Sequence, residues 1–279
     1  FIYNYLDQPL SSLIMQLTES SKLSVFNFEG NLFQDPYFAL SALIGGLLLS
    51  FSSHGVDYMM VQRVLGTKNL KSAQKAMIGS GIFVLIQFSI FLFAGSLIFL
   101  LMKGAPVNLD REFTTFIIQY LPVGVKGLLL AGVLSAAMST LSSSINSLSS
   151  STITDWLGGN KTIKESQVVG MIWGGILICI ALLFDESDSA IVIVGLQIAS
   201  FTYGGLLGLF LLSRLSRKFY TSSLICGLIA SFMIVFYVKS IGFAWTSFIF
   251  ISVIANIIIT ILTQLIIEYY IKRIRLGKF

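Results

Sequence analysis

Seven apolar runs, each long enough to cross a bilayer, constrain this chain more than any other feature: residues 37–62, 76–102, 126–153, 167–184, 189–213, 219–238 and 243–269. At about 1.5 Å of rise per residue, about 20 helical residues span the hydrocarbon core. Lipid offers a backbone no hydrogen-bond partners, so runs of this length read as helices that satisfy their own peptide groups. Composition agrees, with 55% hydrophobic and 11% charged residues and a mean hydropathy of +0.87. The expected fold is an all-α polytopic membrane protein with about seven transmembrane helices.

A net charge of +5 would raise nucleic acid as a partner for a soluble chain, but here the basic residues are sorted by loop. With alternate loops taken as cytoplasmic, 13 of the 18 lysines and arginines fall on one side, from Arg63 and Lys68 to Lys278. The other five are Lys22, Lys103, Arg111, Lys126 and Lys239, and the acidic Asp185, Glu186 and Asp188 join them. The positive-inside rule then puts residue 1 outside and residue 279 inside. The expected partners are the bilayer and a small solute, with no nucleic acid and no obligatory protein partner evident. Residues 1–36 read as an external loop with a short interfacial helix, and 37–279 as the transmembrane domain. A second external loop, 104–125, holds a short helix over 110–120, capped by Asn108 or Asp110 and ended before Pro122. Cys179 and Cys226 fall inside spans and imply no disulfide. An odd number of spans and a start at Phe1 without a signal peptide point to a piece of a longer product.

Residues 127–153, GLLLAGVLSAAMSTLSSSINSLSSSTI, hold a contradiction: a spanning helix whose second half is a run of hydroxyls. Ser135, Ser139, Ser142 and Asn146 fall on one stripe at helical spacing, with Thr140, Ser143 and Ser147 beside it. Such oxygens suit a hard cation and avoid placing a fixed charge in the membrane. They equally suit close helix packing, with each hydroxyl bonded back to the carbonyl one turn earlier.

The first span carries Ser50, Ser52, Ser53 and His54 near its middle, flanked by Gly45, Gly46 and Gly55. Polar groups beside glycine at that depth describe a bent or broken helix lining a binding site. Asp57 is an acid predicted inside the first span; it is either functional or paired near the interface with Arg63 or solvent. Gln197, in the fifth span, is either a solute ligand or an interhelical bond. Phosphate-cradling loops, zinc motifs and nucleophile–base pairs are absent, so the chain does not read as an enzyme.

The stretch HGVDYMMVQRVLGTKNLKSAQKAMIGSG (54–81) resembles the end of one helix and the basic loop after it in the sodium/solute symporter family. Three further blocks, 121–156, 201–212 and 242–259, resemble that family in the same order. The resemblance implies a LeuT-like inverted-repeat fold, of which this chain would hold core helices six to ten plus two peripheral ones. It implies a sodium site with Ala136 contributing its carbonyl and Ser139 and Thr140 their hydroxyls. Ser142 and Ser143 match positions where some members, including sialic acid symporters, bind a second sodium. At solute-contacting positions of helix six the chain has Ser50, Ser53 and His54. The lysine of sugar carriers falls near Val84, which argues against galactose-like recognition. The implied function is sodium-coupled symport of a small polar organic solute by alternating access, in a bacterial cytoplasmic membrane. The alternative is a solute-sensing domain without net transport.

Overall fold

The computed structural model describes residues 2–103, 111–183 and 190–275. The expected caps Asn108 and Asp110, the acidic residues Asp185, Glu186 and Asp188, and Lys278 lie outside them. Among the described residues there is no strand, and six helices are long and apolar enough to cross a membrane. A bent pair makes a seventh. This is an all-α, multi-pass membrane protein.

The helices in chain order are α1 (Ile2–Leu6), α2 (Leu10–Glu19), α3 (Ala39–Gly55), α4 (Tyr58–Leu65), α5 (Leu70–Leu101) and α6 (Glu112–Tyr120), followed by α7 (Val123–Ser151). A π-turn, Thr152–Trp156, continues α7 and leads to α8 (Ile163–Leu183), α9 (Ile191–Ser213), α10 (Thr221–Ser240) and α11 (Trp245–Arg275). The expected spans agree to within a few residues, except that α5 starts six residues earlier and α11 runs six further. Both extensions carry lysine or arginine, polar ends that a hydropathy window cuts off but a helix keeps. Local signals account for the starts: Asn69 caps α5 by accepting from the Ser72 amide at 2.9 Å. Thr162 and Glu165 form a reciprocal capping box at α8, at 2.8 and 3.3 Å.

The chain divides into two compact units. The first comprises residues 1–24 and 62–191. In it, Leu13 and Leu17, one turn apart on α2, bury against Leu97 of α5. Ile98 packs with Phe116, Ile117 and Leu121 around α6. The π-turn is held by the Leu157 amide donating to the Thr152 carbonyl at 3.1 Å, and the Trp173 indole of α8 donates to Thr152 Oγ1 at 2.9 Å.

The second unit comprises residues 25–61 and 192–279. Its core is α11, whose fully buried Ser252, Asn256 and Thr260 repeat every four residues along one face. This polar seam meets backbone. A Cβ added at Gly208 of α9 would lie 2.8 Å from Asn256, and one at Gly227 of α10 would lie 1.9 Å from Thr260 Oγ1. Small residues at these crossings let the helices approach to backbone contact. Apolar packing flanks the seam: Leu207, Ile249 and Val253 on one side, Val235, Val238 and Phe248 on the other.

The expected break in the first span is present, as a bend of 58° between α3 and α4. Asp57 sits at the break. Its Oδ1 accepts from the backbone amides of Met59 at 2.8 Å and Met60 at 3.4 Å, which caps α4, and its Oδ2 accepts from the Tyr203 hydroxyl of α9. The carboxylate therefore does not pair with Arg63, contrary to that alternative. Three donors close by, two amides of α4 and the Tyr203 hydroxyl, outcompete a side chain that would have to fold back along its own helix.

Two outcomes follow for stability in detergent. Gly227→Val is expected to cost about 1–3 kcal/mol or more by overpacking the α10–α11 crossing, and Gly175→Ala, with open space around it, to cost little; equal melting shifts would refute the close-packing account. Tyr203→Phe is expected to cost about 1.5–3 kcal/mol through a lost charge-assisted hydrogen bond, and a shift within error of zero would remove that bond from the description.

Candidate functional site

The five residues expected to hold sodium all lie on α7, in the first unit. At about 100° per residue, Ala136, Ser139, Thr140 and Ser143 share an arc of about 100°, while Ser142 turns away from it. Thr140 Oγ1 donates to the Ala136 carbonyl and Ser143 Oγ to the Ser139 carbonyl, both at 3.0 Å. Ser144 does the same to the Thr140 carbonyl. This is the back-bonding of the packing alternative, but its chemical meaning is not only packing. A hydroxyl that spends its proton on a carbonyl presents only lone pairs outward, and that is a cation ligand. Ala136, Ser139 and Thr140 are exposed among the described residues and are not closed into a helix contact.

Ser142 faces the other way, into an open groove of about 770 Å³ between α7, the π-turn and α8. Asn146, Ser149, Ser150, Lys161 and Gln167 line it too. The structure thus gathers four of the five ion candidates and separates Ser142 from them. It also adds two contacts from α4. The Arg63 guanidinium donates to Ser143 Oγ at 3.0 Å, and the Gln62 amide reaches Ser150 Oγ at 3.5 Å. Neither was legible in the sequence, where Arg63 counts toward loop charge and as a possible partner of Asp57. Among the described residues no cluster of three or more histidines, cysteines or carboxylates is placed to hold a metal.

The solute candidates lie in the second unit. Ser50, Ser53 and His54 share one face of α3, Ser50 exposed and the other two half-buried, with His54 Nδ1 2.9 Å from the Ser50 carbonyl. Ser52 points into the core instead and donates to the Leu48 carbonyl at 2.8 Å. Gln197 is half-buried on α9 and makes no hydrogen bond to these three. Asp57, singled out in the sequence, turns out to be partnered by Tyr203. The signal for Asp57 was local and available: an acid directly before a helical stretch is an N-cap pattern.

Several known proteins share sequence with this chain. The chain is 28% identical to the sodium/sialic acid symporter NanT of Aliivibrio fischeri over 212 residues, which is 71% of this chain and 42% of that protein. It is also 28% identical to the sodium/sialic acid symporter SiaT of Proteus mirabilis, over 69% of this chain and 42% of the relative. With the mouse sodium-coupled monocarboxylate transporter 1 it shares 26% identity over 81% of this chain and 39% of the relative. The chain therefore spans less than half the length of these curated relatives. The sequence model described as "Sodium:solute symporter family" matches residues 10–231, taking in α2 to α9, the bent span and the whole hydroxyl face of α7, and the chain belongs to that family.

Proposed function

We propose that the protein carries out sodium-coupled symport of a small polar organic solute by alternating access on a LeuT-like scaffold, and that α7 supplies its sodium ligands. The observation that carries this reading is the back-bonded hydroxyl face of α7, where Thr140 and Ser143 spend their protons on the Ala136 and Ser139 carbonyls. Sodium, the transported ion, would take the Ala136 carbonyl with the Ser139 and Thr140 hydroxyls, all hard neutral oxygens. Ser143 supplies an oxygen for a second ion one turn on, while Ser142, turned into the groove beside α8, lies off that face. Family membership and relatives named as sodium-coupled transporters support transport in place of catalysis. The Ser50, Ser53 and His54 face of α3 and Gln197 of α9 are the proposed solute contacts. They offer hydroxyl, imidazole and amide groups but no fixed charge, which suits a polar organic molecule.

Coupling requires only that sodium bind one facing state more tightly than the other, and a tenfold difference is worth about 1.4 kcal/mol. Charge sorting supports residue 1 outside and residue 279 inside a bacterial cytoplasmic membrane. That leaves the basic start of α8 inside and the Lys239 end of α10 outside.

Uptake of labelled sialic acid, sugars, monocarboxylates and amino acids into vesicles, with and without a sodium gradient, tests the reading. Accumulation driven by sodium is expected, and Ser139→Ala should raise the sodium concentration for half-maximal uptake about tenfold, the value of about 1.4 kcal/mol for one lost ligand. Uptake indifferent to both sodium and the substitution would return the hydroxyl face to helix packing. For sidedness, with Cys179 and Cys226 replaced by serine, Lys164→Cys is expected to react with an impermeant thiol reagent only from inside and Lys239→Cys only from outside; the reverse pattern inverts the topology.

A further inference from the structure

Arg63 brings a permanent positive charge onto the face of α7 just read as an ion site. Its guanidinium donates to Ser143 Oγ at 3.0 Å, and the proton of that hydroxyl is already committed to the Ser139 carbonyl. The guanidinium therefore occupies one of the two lone pairs that Ser143 could turn toward a metal ion. Among the described residues no carboxylate neutralises it: Asp57, six positions earlier, is committed to Tyr203 and to the amides of α4. A guanidinium cannot shed its proton to make room for another cation. Two positive charges at ligand distance of one hydroxyl repel strongly in a low-dielectric span, so Ser143 holds one cation or the other. Gln62 reaches Ser150, two turns along α7, so Arg63 is one of two polar pins that tie α4 to this helix.

We propose that Arg63 is a tethered competitor of the transported cation: its guanidinium and sodium hold Ser143 in alternation, so that an ion entering at Ser143 displaces Arg63 and unpins α4. This rests on reading α7 as the ion helix and adds to it a residue that sets sodium affinity without being a ligand. The release of α4 couples ion loading to the half-helix that follows the break in the first span. The requirement for displacement also weakens the second ion's binding relative to an unguarded site.

The test is sodium titration of the purified protein, followed by its melting temperature with choline holding ionic strength constant. Removing the charge in Arg63→Gln is expected to lower the sodium midpoint about tenfold, whereas Arg63→Lys, which keeps the charge, stays within about twofold of wild type. In a Ser143→Ala background the same Arg63→Gln exchange should move the midpoint by less than about twofold, because the contested oxygen is gone. An unmoved midpoint in Arg63→Gln, or an equal shift with and without Ser143, overturns the proposal. Where Arg63→Gln does not fold, wild type decides: phenylglyoxal labelling of Arg63, read by mass spectrometry, should rise with sodium, and labelling indifferent to sodium overturns it as well. A sodium response that Ser139→Ala abolishes and Arg63→Gln leaves in place removes this proposal alone. No sodium response in wild type or in any variant removes the ion reading and this proposal together.

Discussion

A bilayer supplies no hydrogen bonds, and most of this chain's polar architecture is an answer to that single deficit. The hydroxyls of α7 close onto carbonyls one turn back, the Trp173 indole finds Thr152, and the Asp57 carboxylate collects two amides and a tyrosine hydroxyl. Each group is satisfied by protein, and each satisfaction fixes geometry. The break between α3 and α4 is stable because the amides freed by the missing turn meet a carboxylate at the point of interruption. A break in the span without such an acceptor would leave unpaired donors, at about 1–3 kcal/mol apiece.

The same deficit bears on the hydroxyl face of α7. On the proposed reading, neutral ligands cost little to bury when no ion is bound, so such a site could be emptied without stranding a charge of its own. Arg63 fits this logic from the opposite direction. Its charge is permanent, and Ser143 gives it a polar partner on α7.

Spans, their order and the bend were legible because they depend on local runs: apolar length, glycine beside polar residues, and basic residues gathered in alternate loops. The short helix before Pro122 was legible for the same reason. The contacts that organise the sites were not. Asp57 and Tyr203 stand 146 positions apart, Arg63 and Ser143 80 apart, and neither pair has a periodic signature. Sequence proximity even pointed the wrong way for Asp57, since Arg63 is near in the chain but faces another helix. Of the hydroxyl run, periodicity grouped Ser142 with Ser139, whereas the structure turns Ser142 into the groove beside α8. The resemblance supplied the register of the ion candidates, which spacing left open between ion ligation and packing.

The buried seam of Ser252, Asn256 and Thr260 bears on how the chain assembles. Were α11 turned by a single residue, about 100°, Asn256 would leave its crossing with α9, and Gly208 and Gly227 would lose the shape they accommodate. Apolar surface cannot make that distinction, because leucine against lipid and leucine against leucine are nearly equivalent. The seam therefore acts as a compass for the α10–α11 hairpin. It selects one azimuth from the many that greasy helices would accept, and it does so before any ion or solute arrives.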